Sequence, residues 1–351
     1  MVRTHGGLDG AELFALNVDP ARVLDVSVNT NPYGPCAVVR DAIEAAAYER
    51  YPDPTALRAR TALATMCGVS PDEVALGNGA AELLWTLARA LSRDGGPAVI
   101  VEPTFAEARA AFEAADTAIV AHGATRANGF AIDLGAVAAT VRAHSATIVY
   151  LCTPNTPTGV IVPAGVVAEW AAAIAPARVL LDQSFLSLSE RAGDARVPMP
   201  PNVIRVRSLT KDHGIPGVRC GYAIASRDVI ASVEAQRPAW TTGAHAQAAA
   251  LAATTDAARA FVAESAHRSL GDRIALQAAL TELGLAPVPS STVFTLVPVA
   301  DAAMLRRRLL VRHQVLVRDC TSFGLPDHVR LAARPAPERT RLVAALSEEL
   351  T

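Results

Sequence analysis

The chain has 351 residues, room for two or three structural units at about 150 residues each, and its 32 basic against 34 acidic side chains leave a formal charge of −2. That balance predicts no nucleic-acid partner and no anionic membrane surface. Five cysteines without a CxxC pair, no apolar run of about 18 residues and a polar opening at Met1–Gly7 point to a soluble, cytoplasmic enzyme rather than a disulfide-stapled, secreted or membrane protein.

Short β-branched runs alternate with Ala-rich helical stretches through the first two-thirds. In chain order the pattern predicts helix at 80–92, strand at 97–102, helix at 106–115, strand at 117–121, helix at 135–143 and strand at 147–152. It continues with helix at 164–175, strands at 178–182, 203–207 and 219–225, and helix at 227–236. Alternation at this spacing predicts an α/β fold with a mostly parallel sheet covered on both faces. From about 244 the texture changes. A long helical stretch runs toward 283, with a break expected near Gly271, followed by strands at 292–298, 314–319 and 328–333 and helices at 301–312 and 337–350. This predicts a smaller α+β unit joined by the long helix. The expected division is an N-terminal arm at 1–27, a large domain at 28–243 and a small domain at 244–351. Arg306-Arg307-Arg308 reads as a solvated helix face, and the His residues show no metal-ligand spacing, so no metal is expected.

Of the 32 basic side chains a single one is lysine, Lys211. Guanidinium supplies charge, but only a primary amine can lose its proton near neutrality and condense with a carbonyl. Ser208 stands just before the amine, and Arg219 follows after the Gly/Pro hinge Gly214-Ile215-Pro216-Gly217. A chain folded back at that hinge could bring Ser208 and Arg219 onto one phosphate while Lys211 reaches an aldehyde a ring's width away. Pyridoxal 5′-phosphate makes that pair of demands.

Other stations fit the same cofactor. Gly77-Asn78-Gly79-Ala80-Ala81-Glu82 opens a helix, where backbone N–H groups can bind phosphate, although a GxG before a helix also serves any tight turn. Asp182 ends a strand, where open parallel sheets place ligand contacts, and could keep a pyridine nitrogen protonated; an ordinary cap is its other reading. Phe105 could stack on a ring or simply pack in the core. Thr153-Pro154-Asn155-Thr156-Pro157-Thr158-Gly159 forms a rigid polar loop at another strand's carboxyl end.

In this order the stations resemble fold-type I pyridoxal-phosphate enzymes of the aminotransferase class I/II superfamily, over nearly the whole chain. Within it the chain is similar to histidinol-phosphate aminotransferases and L-threonine-O-3-phosphate decarboxylases. The most specific stretch is Ser208-Leu209-Thr210-Lys211 with Ile215-Pro216-Gly217-Val218-Arg219-Cys220-Gly221-Tyr222. The resemblance implies a seven-stranded large domain and a Schiff-base role for Lys211. It also implies phosphate contacts from Ser208, Arg219 and the backbone at Ala80 and Ala81. Tyr51 resembles the residue that reaches the partner subunit's cofactor, which implies a homodimer. Arg330 matches the residue that forks onto a substrate carboxylate. Asn29, Asn31 and Arg334 are candidates near substrate, with turn-forming Asn and surface Arg as their other readings.

Two positions depart from the pattern. Thr156 stands where the family's N-P-T-G loop has Asn, and Phe185 where D-x-x-Y has Tyr; both usual residues donate to the cofactor's phenolic oxygen. Fewer donors to an anion predict a raised pKa for the lysine-bound chromophore. The resemblance implies an aminotransferase acting on a small amino acid, phosphorylated or not. A phosphothreonine-decarboxylase-like enzyme, which Phe185 favours, and a catalytically silent cofactor-binding module are the alternatives.

Overall fold

The computed structural model describes residues 5–93 and 95–350. Its strands in chain order are β1 (Leu24–Asp25), β2 (Val74–Gly77), β3 (Ala98–Glu102), β4 (Ile119–Gly123), β5 (Ile148–Cys152) and β6 (Arg178–Asp182). They continue with β7 (Val203–Ser208), β8 (Gly221–Ile224), β9 (Phe294–Pro298), β10 (Val315–Leu316), β11 (Arg318–Asp319) and β12 (His328–Ala332). Seven of them form one sheet in the order β2-β8-β7-β6-β5-β3-β4. It is parallel except at β8, which runs antiparallel to both β2 and β7. This is the mostly parallel α/β sheet that the alternation predicts.

The central strands read as continuous apolar runs because both faces are covered. Successive residues point to opposite faces. Ile100, Ile148 and Tyr150 therefore face the core under helix Ala80–Ser92, packing with Leu83, Leu87 and Phe112. Val99, Val149 and Leu151 face the other core, with Val137, Val167 and Trp170. Burying each such aliphatic side chain contributes about 1.5–3 kcal/mol.

Strand β2 is the member that sequence reading passes over as a short apolar stretch. At four residues it carries too little pattern, and its pairing with β8 makes it a strand. Helices Ala37–Glu44 and Leu57–Cys67 were also not predicted. Their N-cap residues, Cys36 and Ala56, make no side-chain cap, so the usual start signal is missing.

The expected break near Gly271 is not there. Helix Asp256–Glu282 runs straight through it, and the interruption falls at Thr254–Thr255, where the Thr255 side chain accepts from the Ala258 N–H. A mid-helix glycine costs only about 1 kcal/mol, which packing over a long helix offsets. The predicted strand at 314–319 is also two. β10 pairs with β1 of the N-terminal segment, while β11 joins the antiparallel sheet β11-β12-β9. Arg306 leaves the solvated face expected of it and forms a two-pronged pair with Glu12, 2.6 Å on both arms. Among the described residues no helix is long and apolar enough to cross a membrane.

Candidate active site

A cavity of about 340 Å³ opens at the carboxyl ends of β3, β5, β6 and β7 and is closed on its far side by β11 and β12. Ala80, Ala81, Phe105, Thr156, Asp182, Ser208, Lys211, Arg219 and Arg330, all singled out from sequence, line it. Strand ends and the helix starts that follow them are where a parallel sheet leaves backbone groups free for a ligand.

One end of the cavity is built for an anion. Helix Ala80–Ser92 begins there, and its first N–H groups have no intrahelical acceptor. Gly79 precedes it at φ +87°, and a Cβ at that position would lie 2.5 Å from the Arg219 Nη2. Glycine is thus required both for the backbone turn and for the approach of the guanidinium. Arg219 is itself left-handed (φ 55°) and its Nη1 donates to the Pro216 carbonyl at 2.9 Å. The Ser208 and Thr210 hydroxyls lie 2.8 Å apart beside it.

Lys211 sits in the single turn Leu209–Asp212 that follows β7. Burial, reinforced by the positive charges of Arg330 and Arg219, lowers its amine to a pKa of about 8. Asp182, the last residue of β6, is buried, and burial raises its pKa. The Ser184 N–H at 2.9 Å and the Tyr150 hydroxyl at 2.9 Å both donate to its carboxylate and oppose that rise. Tyr150 is wholly buried, which pushes its own pKa well up, so it remains a donor. The Lys211 Nζ stands 5.8 Å from the centre of the Phe185 ring, and Phe185 in turn packs edge-on against Phe294.

The opposite wall carries two guanidinium groups. Antiparallel pairing sets Arg318 of β11 directly across from Arg330 of β12, and both line the cavity. Arg330 donates from Nη1 to the Thr156 hydroxyl at 2.6 Å and from Nη2 to the Ser27 carbonyl at 2.7 Å. The Asn29 amide oxygen, turned toward it, accepts from Nε at 3.2 Å. Burial, with Arg318 adding to it, lowers the Arg330 pKa to about 10. Arg318 donates to the Ser322 hydroxyl at 2.7 Å and lies over the Phe323 ring. In the sequence Val317-Arg318-Asp319-Cys320 resembles part of the family's substrate-carboxylate region, but Arg318 is given no role of its own there; the cross-strand register of two short strands is what sets it opposite Arg330.

A family model described as aminotransferase class I and II matches residues 21–346. The chain belongs to that family. It is a pyridoxal-phosphate-dependent enzyme of fold type I, as the motifs led one to expect. A histidinol-phosphate aminotransferase of Symbiobacterium thermophilum is 32% identical to this aminotransferase-family chain over 333 residues, 93% of this chain and 91% of that protein. The crystal structure of histidinol-phosphate aminotransferase from Sinorhizobium meliloti in complex with pyridoxal-5′-phosphate superposes with a TM-score of 0.85 at 26% identity, covering 97% of this chain and 94% of that one. L-threonine-O-3-phosphate decarboxylase from Porphyromonas gingivalis shares the fold, with a TM-score of 0.81 at 24% identity over 93% of this chain and 98% of its own.

Three residues expected at the site of this aminotransferase-family enzyme lie outside the cavity. Asn31 does not face it: the side-chain amide donates to the Asp212 carbonyl at 2.8 Å and to the Ser265 hydroxyl at 2.7 Å, and its oxygen accepts from the Tyr33 N–H at 3.0 Å. With those groups engaged inside the protein it has no donor left for a substrate. Arg334 is buried rather than a surface residue, and it also misses the cavity. It donates to the Asp25 carbonyl and to the Val28 carbonyl at 3.4 Å, pinning the N-terminal segment to the small sheet. Tyr51 is 77% exposed and stacks on Trp240, with ring centres 4.6 Å apart, away from the cavity of its own chain.

Proposed function

We propose that this enzyme is an aminotransferase whose amino donor carries an anionic group, with histidinol phosphate the first donor to test. The observation that carries this reading is the facing pair Arg318 and Arg330 on the wall opposite Lys211. Two guanidinium groups in one half-buried pocket suit a dianionic phosphate or a dicarboxylate far better than a neutral side chain.

The residues present fit pyridoxal phosphate. The helix start at Ala80 and Ala81, with Ser208 and Arg219, would take its phosphate. Asp182 would face the ring nitrogen, Phe105 the ring and Thr156 the phenolic oxygen. The bound group supplies an aldehyde for an amine and a ring that accepts an electron pair. Lys211, with a pKa of about 8, would be able to take the Cα proton of the amino donor and to give a proton back. The Ser184 and Tyr150 donors favour the ionised form of Asp182 against the burial that raises its pKa, and an ionised carboxylate there would make a positive partner on the ring nitrogen favourable. Arg330 fixes the anion of the substrate. Because Arg330 also donates to Thr156, the hydroxyl proton of Thr156 is free to point at the phenolic oxygen. Phe185 cannot supply the second donor that a tyrosine would.

The expected arm at 1–27 fits this reading, since its strand β1 pairs with β10 and Ser27 receives Arg330. The same holds for a large unit at 28–243 and a small unit at 244–351. A homodimer belongs to it as well: Tyr48 and Tyr51, 82% and 77% exposed, would lie at the contact and Tyr51 would enter the second copy's cavity. A cytoplasmic location accords with five free cysteines.

The test is a single turnover without an amino acceptor. With histidinol phosphate, transfer forms one equivalent of ketone product per site and then stops. Phosphothreonine releasing carbon dioxide over many turnovers would instead make it a decarboxylase, the reading Phe185 favours, and no product from any amine would leave a silent cofactor-binding module.

A further inference from the structure

We propose that Asn31 is a positioning residue for Lys211, tying the turn that carries the amine to the long helix Asp256–Glu282. The inference rests on Lys211 being the cofactor lysine. In the four-residue turn Leu209–Asp212 the Leu209 and Thr210 carbonyls accept from the His213 and Ile215 N–H groups, and those of Lys211 and Asp212 are left without a partner in the turn. Buried carbonyls of that kind must find a partner elsewhere. Asn31 supplies two: its backbone N–H donates to the Lys211 carbonyl at 3.0 Å and its side-chain amide to the Asp212 carbonyl at 2.8 Å. The Cys36 N–H takes the next one, at His213, at 3.2 Å. The segment also lies close, since a Cβ on Gly34 would sit 2.6 Å from the His213 carbonyl oxygen.

The far side of the same segment is fastened to the long helix. The second Asn31 amide proton goes to Ser265, whose hydroxyl donates in turn to the Phe261 carbonyl of that helix at 2.6 Å. Farther along, the Tyr33 hydroxyl donates to Asp272 at 2.5 Å, and Arg268 lies 3.8 Å above the Tyr33 ring. Arg339 of helix Ala336–Leu350 joins the same Asp272 at 3.0 Å. Asn31 is 3% exposed, and one side chain therefore bridges the lysine turn and the helix that leads into the small sheet. A shift of that helix on substrate binding would be felt at the backbone of Lys211.

The test uses the holoenzyme and three variants. Asn31→Ala is expected to lower kcat about 10²-fold with KM little changed, as a misplaced reacting group does. The visible circular dichroism per bound cofactor, which reads how the lysine presents it, should fall as well. Asn31→Asp keeps the shape and the acceptor for Tyr33 but turns an oxygen toward the Asp212 carbonyl, so it should behave as Asn31→Ala does. Ser265→Ala leaves Asn31 on the lysine turn and should keep the dichroism while lowering kcat about 10-fold. Wild-type kcat and dichroism in Asn31→Asp, or a fall in melting temperature alone in Asn31→Ala, would overturn the proposal. Unaltered kcat in Ser265→Ala would overturn the link to the helix. Loss of the lysine assignment is a separate result, seen only if Lys211→Ala keeps the cofactor's lysine-bound visible band.

Discussion

The sheet wall of the cavity and the guanidinium wall differ in how far their residues travel to meet. Ser208, Thr210, Lys211 and Arg219 come from one strand, the turn after it and the loop that leads into the return strand β8. Their relative placement follows from local geometry, with Gly79 and the left-handed Arg219 allowing close approach. On the other wall, Arg330 bonds Thr156 and Ser27, partners 174 and 303 positions away, and faces Arg318 only because two short strands pair in one register. In the proposed reading, cofactor chemistry sits on the locally encoded wall. The same reading gives substrate recognition to the wall that exists only once the N-terminal segment, the large sheet and the small sheet have assembled. A change on the first wall should remove chemistry, and one on the second should alter affinity and tuning.

Removing the amine is the largest of these effects. Lys211→Ala should lower kcat by about 10³-fold and abolish the lysine-bound visible band while far-ultraviolet circular dichroism stays unchanged. A retained band would place the chemistry elsewhere and break the comparison.

Arg330→Gln tests both walls at once. Loss of a charged, bidentate-capable donor should raise KM for the anionic donor by about 10- to 100-fold. It should also move Lys211. The amine captures an aldehyde only when unprotonated, so the rate at which apoenzyme takes up pyridoxal phosphate should rise with pH through about 8 and level off above it. Arg330 lowers that pKa, and its removal should shift the rise to higher pH. A stopped-flow pH series on the two apoenzymes reads the sign directly; a shift to lower pH would mean that the two groups do not interact as described.

Thr156→Asn is the smallest change. An added donor to the phenolic oxygen should lower the pH at which the visible band of the bound cofactor titrates, by about one unit, the worth of one hydrogen bond. A rise instead would show that the Arg330–Thr156 bond already serves that oxygen better than an amide does.

The lone lysine, the glycine-led helix start and the strand-end aspartate line one cavity, and each was legible because it is a short stretch whose local structure can be read from the sequence. The alternating strands and helices were legible for the same reason. Asn31 and Arg334 were placed near substrate and lie elsewhere, because a short polar side chain and a guanidinium serve a carbonyl as readily as a ligand, and sequence does not say which is nearer. Tyr150 drew no notice, hidden in an apolar strand, and Arg318 was legible only as part of a segment with no role of its own, in a strand of two residues; yet the first holds Asp182 and the second faces Arg330. The amino-acid sequence by itself determined the family and cofactor of this protein, since the lone lysine with its flanking motifs carries the resemblance and the family model matches residues 21–346. Which side chains face the substrate was decided by the tertiary structure, because strand register and burial across hundreds of positions settle where each buried donor finds its acceptor.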